Sequence, residues 1–222
     1  MLIFSKSRLL LIVIFASIFI AGCMNKPAPE EEMYEVLEKV VAEEKGFEEQ
    51  QEPLVNLEKK EKELYDKIIA LGMKEFAEIT KLSDEALSIV EQRKTHMKKE
   101  QKSIQASKKE FENLSAIIDE IEEEELHEKS SDLYKIMMDR YAIHDVLYKD
   151  YSKALEYDKE LYTMFKNEDL SLEQLEEQIS KINDMYEKIL DSNKQFNEKT
   201  KEYNVAKLAF YKEAGLEIKT EE

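Results

Sequence analysis

From Leu175 to Phe210 every seventh residue is apolar: Leu175, Ile182, Ile189, Phe196, Tyr203 and Phe210, with Ile179 and Tyr186 on the companion seam. A seven-residue period lines these side chains along one stripe of an α-helix, whereas a strand sends successive side chains to opposite faces. Ser171 with Gln174 three residues on has the pattern of a capping box, and Gly215 is a natural C-terminal cap. The spacing predicts one helix over 172–214, about 64 Å long at 1.5 Å per residue. The companion seam turns polar at Asn193, Thr200 and Lys207, residues that would fix register or face solvent.

The same period recurs upstream. Tyr134, Tyr141, Tyr148, Leu155 and Tyr162, flanked by Met137, His144 and Tyr151, predict a helix over 132–166 with an aromatic seam. Val90, Met97, Ile104, Phe111 and Ile118 predict another from Asp84 to Ile121, capped by Ser83. Between Glu91 and Lys109 that ladder is flanked by Arg93, Lys94, Glu100, Gln101, Ser107 and Lys108, so the packing is expected to be loosest there. A first segment has two parts, Met33 to Phe47 and Leu57 to Leu71, separated by Gly46 and by Pro53, which should kink or interrupt the helix. Gly72 and the stretch Lys74 to Lys81 read as a turn or short helix.

No alternating apolar and polar run bounded by hairpin signals occurs. The fold expected is all-α, an elongated antiparallel up-and-down bundle of four helices with the first kinked. Three long helices with a frayed first segment is the alternative.

The N-terminus carries an address. Lys6 and Arg8 precede an apolar run from Leu9 to Ile20, which ends in Ile20-Ala21-Gly22-Cys23. Basic start, apolar middle and small residues before a thiol are the pattern of a lipoprotein signal, while the run is short for a spanning helix, which needs roughly 20 apolar residues. Residues 1–22 are expected to be a cleaved signal peptide, and Cys23 to carry a covalent diacylglyceryl lipid. Residues 23–32, with Pro27 and Pro29, form the lipidated cysteine and its tether, 33–216 the bundle and 217–222 a tail. The protein would sit lipid-anchored on the extracytoplasmic face of the cell membrane. Cys23 is the only cysteine, so no internal disulfide is available.

Charge excludes one class of partner. Cleavage would remove Lys6 and Arg8 from 33 basic residues, leaving 31 against 50 acidic ones and a formal charge of −19. Nucleic acid is a poor partner for such a surface, because its affinity for proteins is mostly phosphate neutralisation by Lys and Arg.

Catalytic patterns are absent. Glu124 and His127 have the Glu-x-x-His spacing of a bundle metal site, but the residues three before His96 and His144 are Arg93 and Tyr141, so no second copy exists. There is no His-Glu-x-x-His, no Gly-rich phosphate loop and no cysteine pair. The expectation is a protein that is not an enzyme, with no metal and no cofactor beyond the lipid.

One interval departs from the acidic background. Gln92 to Lys109 holds seven cations, Arg93, Lys94, Lys98, Lys99, Lys102, Lys108 and Lys109, against the single acid Glu100. Arg93, Lys94, Lys98, Lys99, Lys102 and Lys109 form the candidate wall-binding face, suited to an anionic polymer. The blander account, which is favoured, pairs these cations with glutamates of neighbouring helices. The tyrosine seam is similarly double: its rings would stack on sugars, yet heptad spacing favours a core role, with His144 at the core edge bonded to a neighbouring hydroxyl.

The lipobox, the short acidic tether and the late Tyr-rich helix together resemble the cell-wall-binding lipoproteins of low-GC Gram-positive bacteria, the YkyA-type family. The resemblance spans the chain, especially Lys60 to Leu71 and the stretch through Tyr203, Ala206 and Tyr211. It implies an up-and-down bundle and a wall-binding role, with cell-wall polymer or peptidoglycan as partner, and supplies no catalytic residues. An adaptor or spacer that holds another surface protein, or itself, is the alternative.

Overall fold

The computed structural model describes residues 27–71 and 75–216. The signal segment, Cys23 and the tail 217–222 lie outside the described residues. Among the described residues four long helices and one short one follow in order: α1 Pro29–Ala70, α2 Phe76–Phe111, α3 Leu114–Ile118, α4 Glu124–Met164 and α5 Leu172–Glu213. No strand occurs among the described residues.

Contacts between helices give the direction of each. Ser103 of α2 bonds the backbone of Glu43 and Phe47, while Arg93, further back on α2, meets Glu61, further along α1. Arg140 reaches Thr200, and Asp158 reaches Tyr186, so α4 and α5 also run antiparallel. Ser107 meets Tyr141 and Arg93 meets Asp158, which sets α2 antiparallel to α4. The result is the expected up-and-down bundle, with α1 about 63 Å long over its 42 residues.

Helix ends explain several differences from expectation. α1 begins at Pro29, inside the segment expected as tether: proline at the first helical position loses no needed N–H, and Glu30, Glu31 and Glu32 favour the positive end of the helix dipole. α1 then runs through Pro53 without interruption. Tertiary packing outweighs the missing bond, since Leu54 and Leu57 just beyond it are buried.

α2 starts at Phe76, eight residues before Asp84, and takes in most of the stretch expected as a turn or short helix, of which Gly72 and Lys74 lie outside the described residues. Ser83 is therefore no cap; it is buried mid-helix and donates to the Ile79 carbonyl at 2.8 Å. α2 also ends early, at Phe111, and Ile118 enters the core from α3. α4 begins at Glu124 rather than at 132.

α5 matches closely. Ser171 and Gln174 form the full capping box, and Gly215 takes φ 65°. The N–H groups of Gly215 and Leu216 return to the carbonyls of Lys212 and Tyr211, the paired bonds of a Schellman motif.

The core is divided along its length. One apolar cluster, at the tether end, includes Met33, Leu37, Ile104, Phe111, Leu133 and Phe210. A second, at the far end, includes Leu57, Ile68, Val90, Leu155, Tyr162 and Ile189. All the described helices and both clusters lie within 27–216.

Between the clusters lies a polar waist. Arg140 clasps Glu44 with two bonds of 2.7 and 2.9 Å, donates to Thr200 at 2.8 Å, and packs 4.4 Å from the Phe196 ring. His144 is completely buried, with Nε2 3.0 Å from Glu100 Oε1. It is thus a core residue bonded to a carboxylate, neither at the edge nor on a hydroxyl as expected. Glu100, Gln101 and Ser107 are buried and hydrogen-bonded here as well. The interval expected to be loosest is instead where the helices exchange polar contacts, as buried polar groups generally require, although Gln101 Oε1 and His144 Nδ1 have no hydrogen-bond partner among the described residues.

Candidate functional site

α1 and α5 flank a cavity of about 490 Å³ at the far end of the bundle, floored by α2 and α4. Its floor is built around Arg93, whose side chain is 2% exposed. Arg93 sits on the buried seam of α2 with Val90, Met97, Ile104 and Phe111, in the alternating three- and four-residue spacing of a bundle core. Glu61 holds the matching position on α1 between Leu57 and Leu64, and Asp158 on α4 between Ala154 and Leu161.

The guanidinium makes four hydrogen bonds. Nε donates to the Tyr151 hydroxyl at 3.0 Å; Nη1 donates to Glu61 at 2.6 Å and Asp158 at 3.2 Å; Nη2 donates to the Tyr186 hydroxyl at 2.8 Å and lies 3.5 Å from Glu58. The two phenols pass the network on, Tyr151 to Glu58 at 2.6 Å and Tyr186 to Asp158 at 2.7 Å.

The electrostatics follow from one cation serving three carboxylates. Burial works against the charge of Arg93, but Tyr186, Tyr151, Glu61 and Asp158 outweigh it and hold the guanidinium charged. Burial raises Glu61 to about 7 despite the attraction of Arg93, and raises Asp158 for the same reason. Burial also pushes the hydroxyls of Tyr151, Tyr162 and Tyr186 up, so they act as donors.

The basic face has a different geometry. Arg93 does not belong to it, because its position lies about 140° around α2 from the middle of the lysine arc. Lys98, Lys99, Lys102 and Lys109 are exposed and Lys94 half-buried. Among the described residues, no carboxylate oxygen lies within 4.0 Å of these five ammonium groups. Lys108 pairs with Asp145 at 3.6 Å, so the ion-pair account describes Arg93 and Lys108; the other five cations have no carboxylate in direct contact, although Glu91, bonded to Lys159, lies close enough for the charges of Lys94 and Lys98 to help lower its pKa. Lys94, Lys98, Lys102 and Lys109 fall within about 80° of one another on the helix surface.

The tyrosine seam divides. Tyr141 is core, bonded to Ser107 at 2.6 Å, whereas Tyr151 and Tyr162, joined by Tyr186 of α5, line the cavity. His127 lies on the first turn of α4 away from any second histidine. Beside it Glu123, Glu125 and Glu213 converge, but Lys129 already bonds Glu125 at 2.7 Å and also Glu213.

Sequence reasoning missed Glu58, Glu61 and Asp158. The signal was present: two acids and one arginine each stand where the heptad calls for an apolar residue, a pattern of buried opposite charges.

The sequence model of the YkyA family, described as "Putative cell-wall binding lipoprotein", matches residues 28–213. The chain belongs to the YkyA family. It is 38% identical over 203 residues to the "Uncharacterized lipoprotein YkyA" of Bacillus subtilis strain 168, covering 91% of each chain. The matched region of the YkyA family spans α1 to α5 and thus includes both the cavity and the lysine face. A crystal structure of a conserved protein of unknown function from Staphylococcus aureus shares the fold, with a TM-score of 0.63, 17% identity, and coverage of 86% of this chain and 98% of that one. No described helix is long and apolar enough to cross a membrane.

Proposed function

We propose that this protein is a non-catalytic lipoprotein, anchored through Cys23 on the outer face of the cell membrane, that binds an anionic component of the cell wall. The observation carrying the proposal is the row of five α2 lysines, Lys94, Lys98, Lys99, Lys102 and Lys109, without carboxylate partners in a chain of formal charge −17. An acidic protein that merely needed solubility would scatter or pair its cations. A row on one helix instead provides a local positive strip against which a polyanion gains from several contacts at once. The family description supports the same address and partner.

The test is sedimentation of residues 24–222 with intact walls, walls stripped of teichoic acids, and soluble peptidoglycan fragments. Binding should be lost on stripping, fall with added salt, and drop at least tenfold when Lys94, Lys98, Lys99 and Lys102 become Glu. Unchanged retention by the variant would remove this face from consideration, and no retention of the unmutated chain would sink wall binding. Mass spectrometry of the cellular protein should show a diacylglyceryl group on Cys23.

A further inference from the structure

The cavity between α1 and α5 plays no part in the lysine-face proposal. We propose that this cavity is a binding site for a primary ammonium group carried on a small, partly apolar ligand.

Size and lining set the class. A volume of about 490 Å³ is within the ordinary range for small-molecule sites. Tyr65, Ile179, Ile182, Tyr186 and Leu190 provide apolar wall, and the polar groups converge on the floor. Such an arrangement suits a ligand with one polar end and an apolar body.

Charge decides which polar end. Three carboxylates, Glu58, Glu61 and Asp158, face one guanidinium, and on the rim Lys62 and Asp66 cancel each other at 2.6 Å. The site is two positive charges short of neutrality when all three acids are ionised. Four of the five N–H groups of Arg93 donate hydrogen bonds and the remaining Nη2 N–H has Glu58 3.5 Å away, so an anionic ligand would have to compete for that last donor and would meet the carboxylates.

An ammonium brings three donors and the missing charge. Glu58, with its side chain 41% exposed, is the acid most open to it. The tyrosine rings add a second attraction, since they already hold a cation: Arg93 lies 5.0 Å from the Tyr151 ring centroid and 5.9 Å from that of Tyr186. A neutral sugar could stack on these rings but would leave the surplus negative charge uncompensated. Burial is the main cause of the upward push on Glu61 and Asp158, neighbouring carboxylate charge adds to it, and an arriving cation would offset that added part.

The experiment uses residues 24–222 with labelled methyl and tyrosine groups, titrated with pentylammonium, pentanoate, pentanol and N,N′-diacetylchitobiose and followed by NMR. Pentylammonium should shift Ile179, Ile182 and Tyr186 saturably, with affinity in the millimolar range expected of so small a fragment and at least tenfold tighter than each other probe. Glu58→Gln should weaken it at least fivefold. Leu190→Trp, at an exposed position on the rim and so compatible with folding, should block it.

Equal binding of pentanol would overturn the ammonium assignment, as would preference for the disaccharide or no saturable shift. Wall sedimentation by the lysine face is measured separately, so either proposal can fail while the other stands.

Discussion

Arg93 Nη1 of α2 lies 2.6 Å from Glu61 Oε2 of α1, and both side chains are almost wholly withdrawn from water. Asp158 approaches the same nitrogen at 3.2 Å from α4, and Tyr186 of α5 accepts from Nη2 at 2.8 Å, so all four long helices meet on one guanidinium. Buried charges of this kind are costly to leave unpaired, and they contribute less as a set than the removal of one member costs.

Arg93→Met should therefore destabilise the bundle by about 3–5 kcal/mol at neutral pH. Replacing Arg93, Glu61 and Asp158 together with Met, Leu and Leu should recover most of that loss. Urea denaturation of the single and triple variants checks both; a single variant within about 1 kcal/mol of the unmutated protein would contradict a paired, dry cluster.

The cluster also predicts a pH dependence. Glu61 is raised from 4.5 to about 7 chiefly by burial. The folded chain thus holds this proton more tightly than the unfolded chain, and the stability it contributes is present at low pH and lost as pH rises from about 4.5 to about 7. Asp158 acts in the same direction. At 1.36 kcal/mol per pH unit, the Glu61 contribution is at most about 3 kcal/mol. Denaturation midpoints from pH 4.5 to 8 should fall more steeply for the unmutated protein than for Glu61→Gln; parallel curves would show that Glu61 ionises as an ordinary carboxyl.

Gly46 predicts a result opposite to helix propensity. A Cβ there would lie 3.1 Å from both Cβ and Oγ of Ser103. Ser103 cannot simply rotate away, because its Oγ accepts from Phe47 N at 2.9 Å and donates to the Glu43 carbonyl. Gly46→Ala, which in an open helix gains roughly 0.5–1 kcal/mol, should here lose about 1 kcal/mol. Combining it with Ser103→Gly should remove the clash. A stabilised single variant, measured by chemical denaturation, would mean that α1 and α2 separate freely at this point.

The free lysines predict the absence of a stability effect. Changing Lys94, Lys98 and Lys102 singly to Glu should each alter stability by less than about 0.5 kcal/mol, since no direct ion pair is lost. Thermal unfolding measures this, and a large loss in any of the three would return that lysine to a structural role.

Periodicity carried the fold because it is a local, repeated signal. The α5 ladder from Leu175 to Phe210, with its Ser171 cap and Gly215 stop, matched the structure to within a residue. Boundaries failed where a punctuating residue was read without its surroundings. Ser83 sits inside a continuous helix, because buried neighbours on either side outweigh the local preference for an end, whereas at Pro53 the interruption is excluded and the reading of one continuous first helix stands.

The candidate sites were less legible for the same reason. Arg93 looked like one of seven similar cations, although its spacing from Val90 and Met97 already put it on the apolar seam rather than on the lysine arc. Tyr151 and Tyr162 had the period of core residues, and nothing local distinguishes a tyrosine that fills a core from one that lines a cavity. That difference depends on how closely α5 approaches α1, two elements separated by most of the chain.

By itself the sequence determined the helices, their amphipathic stripes and the all-α class, since each depends on neighbours three or four residues away along one helix. Helix packing set which polar seam residues meet, made Arg93 shared by Glu61 and Asp158, and left a cavity above them between α1 and α5. Those outcomes depend on the relative register of helices far apart in the chain, which a repeating apolar pattern leaves open and which the pairing of buried charges and the close approach of Gly46 to Ser103 define.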